Sequence, residues 1–200
     1  MIEASLEHLG LVLAAVLLAL MLGLPMAIWA SRNPGPGSML LRFVDVIQTI
    51  PSLALFGLLL PLPLLGGIGP KLAILVLFLY ALLPILRSTV TGLDSIPVAI
   101  RESAEALGMT ENEVLREIEL PLALPSILSG LRIATVTTIG TATVAAAIGA
   151  GGLGVLLYRG LATVETRLLL EGSIPAALMA LAADRLFVWI EEHYSKAQRV

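Results

Sequence analysis

The residues most able to do chemistry in this chain are crowded into one short stretch. Asp94, Glu102, Glu105, Glu111, Glu113, Glu117 and Glu119 are seven of its fifteen acids, set against two arginines, Arg101 and Arg116, in the same interval. The chain of 200 residues is otherwise 58% hydrophobic and only 14% charged in all, where a soluble domain carries about a quarter. A segment so charged cannot lie in lipid, so it must be a loop in water between spanning helices. Solvation alone accounts for the acids. It does not account for the spacing E-x-A-x3-G-x9-I-x-L-P, which Glu102, Ala104, Gly108, Ile118, Leu120 and Pro121 carry, with Ser103 at the second position.

Other candidates lie in the apolar part. At about 100° per residue Thr137, Thr138 and Thr141 fall on one helix face. They can line a polar translocation path, or they can bond neighbouring backbone and let helices pack closely. Arg132 and Asp184 sit within apolar runs, where ions default to functional sites. Both lie toward the charged loop, so snorkelling or mutual pairing accounts for them equally. Gly149-Ala150-Gly151-Gly152-Leu153-Gly154 lacks the Lys-Ser/Thr of a phosphate-binding loop and any soluble strand before it; it reads as a gate-proximal turn near the outer face. His8 and His193 are isolated and expected at the surface, without partners at metal spacing. There are no cysteines, and no histidine at a depth to activate Ser129. Neither a metal site nor a catalytic centre is expected, and the chain reads as no enzyme.

The elements that position these groups are apolar runs long enough to cross a hydrocarbon core of about 30 Å at 1.5 Å per residue. Five are expected, at about 9–30, 41–60, 71–90, 127–149 and 174–191. Pro25 and Pro84 are expected to kink the first and third, and Pro51 lies inside the second. Turns are expected at 31–37 and at Pro61-Leu62-Pro63 through Pro70. The charged loop, 94–121, should hold two short helices lying flat on the membrane. The first starts at Pro97 and stops at Gly108. The second opens with the capping box Thr110-Glu111-Asn112-Glu113, and Pro121 and Pro125 close it. Tyr158 to Gly172 is charged enough to be mostly wet. The fold class is therefore an all-α integral membrane protein, read as one domain over 1–200.

Five spans place the termini on opposite sides. Arg32 and Arg42, then Arg87, Arg101 and Arg116, then Lys196 and Arg199 share one side, against Lys71, Arg159 and Arg167 on the other. The positive-inside rule puts the charged loop and the C-terminus in the cytoplasm and the N-terminus outside. The N-terminus lacks the positive region of a signal peptide, so the first run is expected to be kept as a span. No basic tract suggests nucleic acid, and no internal repeat suggests a self-contained inverted-repeat carrier.

The spacing of the charged loop resembles that of binding-protein-dependent ABC importer permeases. Further segments are similar to the osmoprotectant branch of that family. They are Ile47-Gln48-Thr49-Ile50-Pro51-Ser52-Leu53-Ala54-Leu55, Ala81-Leu82-Leu83-Pro84-Ile85-Leu86-Arg87, Pro121-Leu122-Ala123-Leu124-Pro125, Gly140-Thr141-Ala142-Thr143 and Gly149 to Gly154. The resemblance spans about Leu9 to Leu186. It implies a permease subunit of a bacterial inner-membrane importer for glycine betaine, choline, carnitine or a related osmoprotectant. Another small organic solute such as an amino acid, or a self-sufficient secondary carrier, is the rival. It implies that Glu102, Ser103, Ala104, Gly108, Ile118, Leu120 and Pro121 couple to a separate ATPase subunit that holds ATP and magnesium. An extracytoplasmic solute-binding protein would deliver the solute, and a second permease subunit, identical or related, would complete the pore in the lipid bilayer. No charged residue clearly lines the path, which suits a zwitterionic or cationic solute. With two Trp, three Tyr and four Phe, no aromatic cage for a quaternary ammonium is visible, so selectivity is expected to reside in the receptor.

Overall fold

A computed structural model describes residues 1–61 and 67–197, and among these the ordered elements are all helical. Three long helices form the centre: α1 (Ile2–Arg32), α4 (Pro70–Asp94) and α7 (Leu120–Ala142). They share a core of Val12, Ala15, Ala19, Val76, Ala81 and Ala134, among others. Around them lie α2 (Pro34–Thr49), α3 (Ser52–Leu59), α5 (Val98–Ala106), the single turn α6 (Glu111–Glu113), α8 (Gly154–Thr163) and α9 (Thr166–Ala197). The helices Ile2–Arg32, Pro70–Asp94, Glu111–Ala142 and Thr166–Tyr194 are each long and apolar enough to cross a membrane, and α2 with α3 makes a fifth, broken candidate.

Lipid offers no water to helix backbones and no hydrophobic drive between helices, so close contact must come from small residues and internal hydrogen bonds. The α4–α7 crossing follows this rule. A Cβ added at Gly130 would stand 2.6 Å from the Ser88 Cβ and 2.8 Å from the Pro84 carbonyl oxygen, and one at Gly92 would stand 2.7 Å from the Ser126 Cβ. Ser88 and Gly92 on α4 therefore mesh with Ser126 and Gly130 on α7, each pair four residues apart and so on one face.

Several boundaries differ from those the sequence predicts. The first span begins at Ile2, so Glu3, Glu7 and His8 lie inside the helix. The second span is not a continuous helix with Pro51 inside it. The chain breaks at Ile50 and Pro51, and α3 turns 97° away from α2. Pro51 brings no N–H to continue α2, and it biases Ile50 to its extended conformation, ψ 125°. The charged loop keeps its first short helix, α5, but not a separate second one. From Glu111 the chain runs through α6 and a π turn (Val114–Glu119) directly into α7, so Pro121 and Pro125 do not close the loop. Pro121 falls in the first turn of α7 and Pro125 is carried inside it. The fourth span ends by tightening into a 3-10 turn (Val144–Ile148) that stops at Gly149. The stretch expected to be wet is largely exposed, yet it is helical: α8 packs against α9, and the fifth span starts at Thr166 rather than Ile174. The expected turn at Pro61-Leu62-Pro63 and Gly66 falls mostly outside the described residues, as does Arg199.

Two carbonyls freed near prolines are satisfied by a neighbouring helix. Pro84 cannot bond back to the carbonyl of Tyr80, and Gln48 Nε2 donates to that oxygen at 2.7 Å. The Tyr80 hydroxyl in turn donates to the carbonyl of Ile50, at the break before Pro51. The proline-bearing motifs of α2 and α4 are thus stitched to each other.

Gly130→Val should destabilise the protein by about 1–3 kcal/mol, the usual cost of overpacking. Gly10, mid-helix on α1 with open space where a Cβ would go, provides the control: Gly10→Ala should be neutral or slightly stabilising. Thermal unfolding in mild detergent, followed by loss of monodisperse protein, reads both.

Candidate coupling site and polar cleft

The candidate coupling site is built on α5. Pro97 precedes its first residue, and Ala104 is the one residue of the helix that is fully buried. Glu102 and Ser103 lie on the exposed side, and the Ser103 hydroxyl is turned back onto the Ala99 carbonyl at 2.7 Å. The helix ends as the sequence predicts, at Gly108, whose φ of +84° is left-handed. Gly108 N–H bonds to the Glu105 carbonyl at 2.9 Å and Met109 N–H to the Ala104 carbonyl at 3.2 Å. These two bonds close a Schellman motif. A Cβ at Gly108 would meet nothing within 4 Å in this chain, so its demand here is on backbone conformation alone. The Thr110–Glu113 capping box then forms, with Thr110 N–H donating to Glu113 Oε2 at 2.7 Å.

A shallow depression of about 410 Å³ brings motif residues from both sides of Gly108 together. Ser103, Ala104 and Ile118 line it with Leu107 and Met109. Leu107 is 84% exposed at its edge. Leu120 packs on an apolar cluster of Leu93, Ile96, Ala123 and Ile127 beneath the site. Pro121 is exposed at the start of α7.

The second feature is a cleft along the bundle in which polar groups interrupt a largely apolar lining that includes Leu83, Pro84, Ile133 and Val136. Thr137 and Thr141 line a cavity of about 360 Å³ with Gln48, Tyr80 and Arg87. An adjoining cavity of about 400 Å³ shares Ile133 and Thr137 and adds Ser129, Arg132 and Asp184. The threonine hydroxyls donate to their own helix: Thr137 to the Ile133 carbonyl at 2.7 Å, and Thr141 to the Thr137 carbonyl at 3.0 Å. Their lone pairs, not their protons, remain for the cleft. Thr138 does not join them; it is buried in the core. Residues four apart differ by about 40° around a helix and adjacent ones by about 100°, so Thr141 follows Thr137 and Thr138 does not.

The sequence matches the family described as binding-protein-dependent transport system inner membrane component over residues 12–200. The chain belongs to that family. This permease is 44% identical to the osmoprotectant import permease protein OsmW of Salmonella typhimurium, over 90% of its length and 85% of the relative's. It is 43% identical to the glycine betaine/carnitine/choline transport system permease protein OpuCD of Bacillus subtilis, over 96% and 83% of the two chains. It is 44% identical to the choline transport system permease protein OpuBD of the same organism, over 92% and 80%. Its fold superposes on a permease chain of the MetNI methionine ABC transporter in an inward-facing form with a TM-score of 0.78, at 27% identity and 95% coverage of each chain. It is therefore a permease subunit of an ABC importer and an integral membrane protein, in a family whose ATPase sites lie on separate subunits. That membership implies an ATPase, a binding protein and a second permease subunit as partners.

The permease also pairs charged and buried residues that the sequence left unpaired. Glu119, inside the Ile118-Glu119-Leu120-Pro121 motif, is 1% exposed and ion-paired to two arginines: Arg101 of α5 at 2.6 Å, and Arg32 at the end of α1. The carboxylate is buried, while the Arg32 and Arg101 side chains keep 42% and 27% of their surface in contact with the surroundings. The available signal was an acid flanked by Ile118 and Leu120, where a solvated loop has no need of one. Arg132 and Asp184 are paired, Nε to Oδ1 at 2.6 Å, with Glu191 also near Arg132 at 3.7 Å. Arg87 pairs with Asp45 at 2.6 Å. His8 is not at the surface. It is fully buried, with Nε2 3.0 Å from the Ile139 carbonyl, because α1 starts earlier than the sequence suggests. Its neighbour Glu7 accepts the N–H of Gly152 at 2.9 Å. The 149–154 turn, with left-handed Gly149, Gly151 and Gly152, is thus held by the start of α1, at the end of the bundle opposite α5. His193 is exposed and stacks on Trp189.

Gln48→Leu should leave the Tyr80 carbonyl without its donor in the bundle and cost about 1–3 kcal/mol. The expected result is a lower detergent melting temperature than wild type, with Gln48→Glu tested alongside to separate lost volume from the lost amide donor.

Proposed function

We propose that this chain is the permease for glycine betaine, choline, carnitine or a related osmoprotectant. The observation that carries this reading is its identity of 43–44% to three permeases named for such transport, over nine-tenths or more of its length. The cleft chemistry supports it. Threonine oxygens with their protons committed elsewhere suit a cationic head that has no N–H to donate, and the cleft offers no unpaired acid to bind that head too tightly. Thr137 and Thr141 are the residues we place on the path.

In this reading residues 1–200 are one transmembrane domain of a bacterial inner-membrane complex. The coupling segment 94–121 seats α5 in a groove of the ATPase subunit, where ATP and magnesium are bound and hydrolysed. A membrane subunit has no contact with ATP, so only a rigid element shared with the ATPase can convey its closure. Glu102, Ser103 and Leu107 face the partner, Gly108 allows close approach of the backbones, and Ile118 to Pro121 transmit the displacement into α7. A second permease subunit faces the cleft, and an extracytoplasmic receptor selects the solute. The loop charge bias supports a cytoplasmic coupling segment and C-terminus, with the N-terminus outside. The likeness to a methionine transporter gives the rival solute class, an amino acid.

Cells lacking their own betaine-type importers and expressing this permease with its ATPase and receptor should take up labelled choline or glycine betaine, and removal of the ATPase should abolish it. Uptake of methionine instead, or uptake that survives loss of the ATPase, overturns the reading. In the same cells Gly108→Glu should abolish uptake while the protein still inserts. Gly108→Asn should retain more, since Asn tolerates the left-handed region at less cost. Normal uptake by Gly108→Glu would rule out the coupling role.

A further inference from the structure

We infer that Glu119 is a positioning residue for energy coupling: it locks the ATPase-facing helix to the membrane bundle so that the two move together. This rests on the coupling reading of 94–121 and goes beyond it, because Glu119 is buried and has no surface to offer a partner. The geometry is a three-way tie. One carboxylate oxygen meets Arg101 Nε of α5 at 2.6 Å, and the other accepts from Arg32 Nη2 at the end of α1. Arg101 also donates through Nη2 to the Leu93 carbonyl at 2.7 Å, in the last turn of α4. One carboxylate and one guanidinium therefore join α1, α4, α5 and the start of α7. Little else does so, since Ala104 is the only buried residue of α5.

The π turn explains how an acid comes to point inward here. In α geometry residues five apart stand about 140° from each other. With i→i+5 bonding they fall on the same side of the helix. Val114 and Glu119 are five apart, both are buried, and Leu120 N–H bonds to the Leu115 carbonyl in that pattern. Such turns recur at functional sites. The extra residue per turn rotates Glu119 onto the face that meets the arginines. A hydrophobic residue there would pack as well for stability, but it would leave α5 held to the bundle mainly through Ala104, so that α5 could shift without carrying α7 with it.

The test uses the complete transporter, permease with ATPase and receptor, in proteoliposomes, measuring solute uptake and ATP hydrolysis together. Arg101→Gln removes the tie from α5 while sparing the Arg32–Glu119 pair, and Glu119→Gln removes the charge at the node. Both should assemble with the ATPase. Uptake per ATP hydrolysed should fall about tenfold, within the range that contacts remote from a ligand exert on coupling. Arg101→Lys, which keeps the charge, should recover most of the ratio. A simple loss of folding would lower both activities together and leave the ratio unchanged, so an unchanged ratio in Arg101→Gln overturns the proposal. Gly108→Glu in the same vesicles separates the two claims. If it abolishes uptake while Arg101→Gln keeps its ratio, the coupling reading stands and the lock alone fails.

Discussion

The close approach of α4 and α7 is the contact on which the other features depend. With Gly92 and Gly130 each under 3 Å from a neighbouring side chain were a methyl added, the two backbones have little freedom to slide or separate. Both candidate sites attach to this pair. The start of α7 continues from the charged 94–121 segment, and its last turns carry Thr137 and Thr141. The middle of α4 carries Tyr80 and Pro84, and its end supplies the carbonyl that Arg101 grips. Membrane helices gain little from burying apolar groups against each other. A crossing made of glycine and serine therefore does the work that a leucine core does in water.

Hydrogen bonding in a dry medium is the second constraint. The bundle tolerates a 97° break in its second span because side chains from α2 and α4 reach each other's open carbonyls. The glycine turn at the far end is anchored in the same manner by Glu7. Polar residues that look like pathway candidates, such as Gln48, have backbone partners first. What remains facing the cleft is a mixed surface: hydroxyl acceptors and paired ions set among Leu83, Pro84, Ile133 and Val136.

The helical class, the apolar runs and the charged loop were legible in the sequence because each is a matter of composition over many residues. Gly108 and the Thr110–Glu113 box were legible because local stereochemistry dictates them. The joins were not. Pro51 reads as a kink or a break with equal ease, and only the presence of Tyr80 and Gln48 across the gap makes the break stable. Pro121 and Pro125 read as terminators, and the π turn ahead of them carries the rod through instead. Thr138 was grouped with its neighbours by position, although a difference of about 100° turns it into the core. Glu119 was hidden most completely. Its burial depends on a one-residue shift in helix bonding and on two arginines far away in sequence, neither of which has a local pattern.

The central claim is that the α5 end of the permease is where the ATPase sits. A photo-crosslinking amino acid in place of Leu107, activated in native membranes and followed by mass spectrometry of the adducts, tests it most directly. The account predicts a single major adduct to the ATPase subunit, lost when the same group is placed at Met21 on the exposed side of α1. Adducts to lipid alone, or none to an ATPase when the complex is intact and transporting, would contradict it.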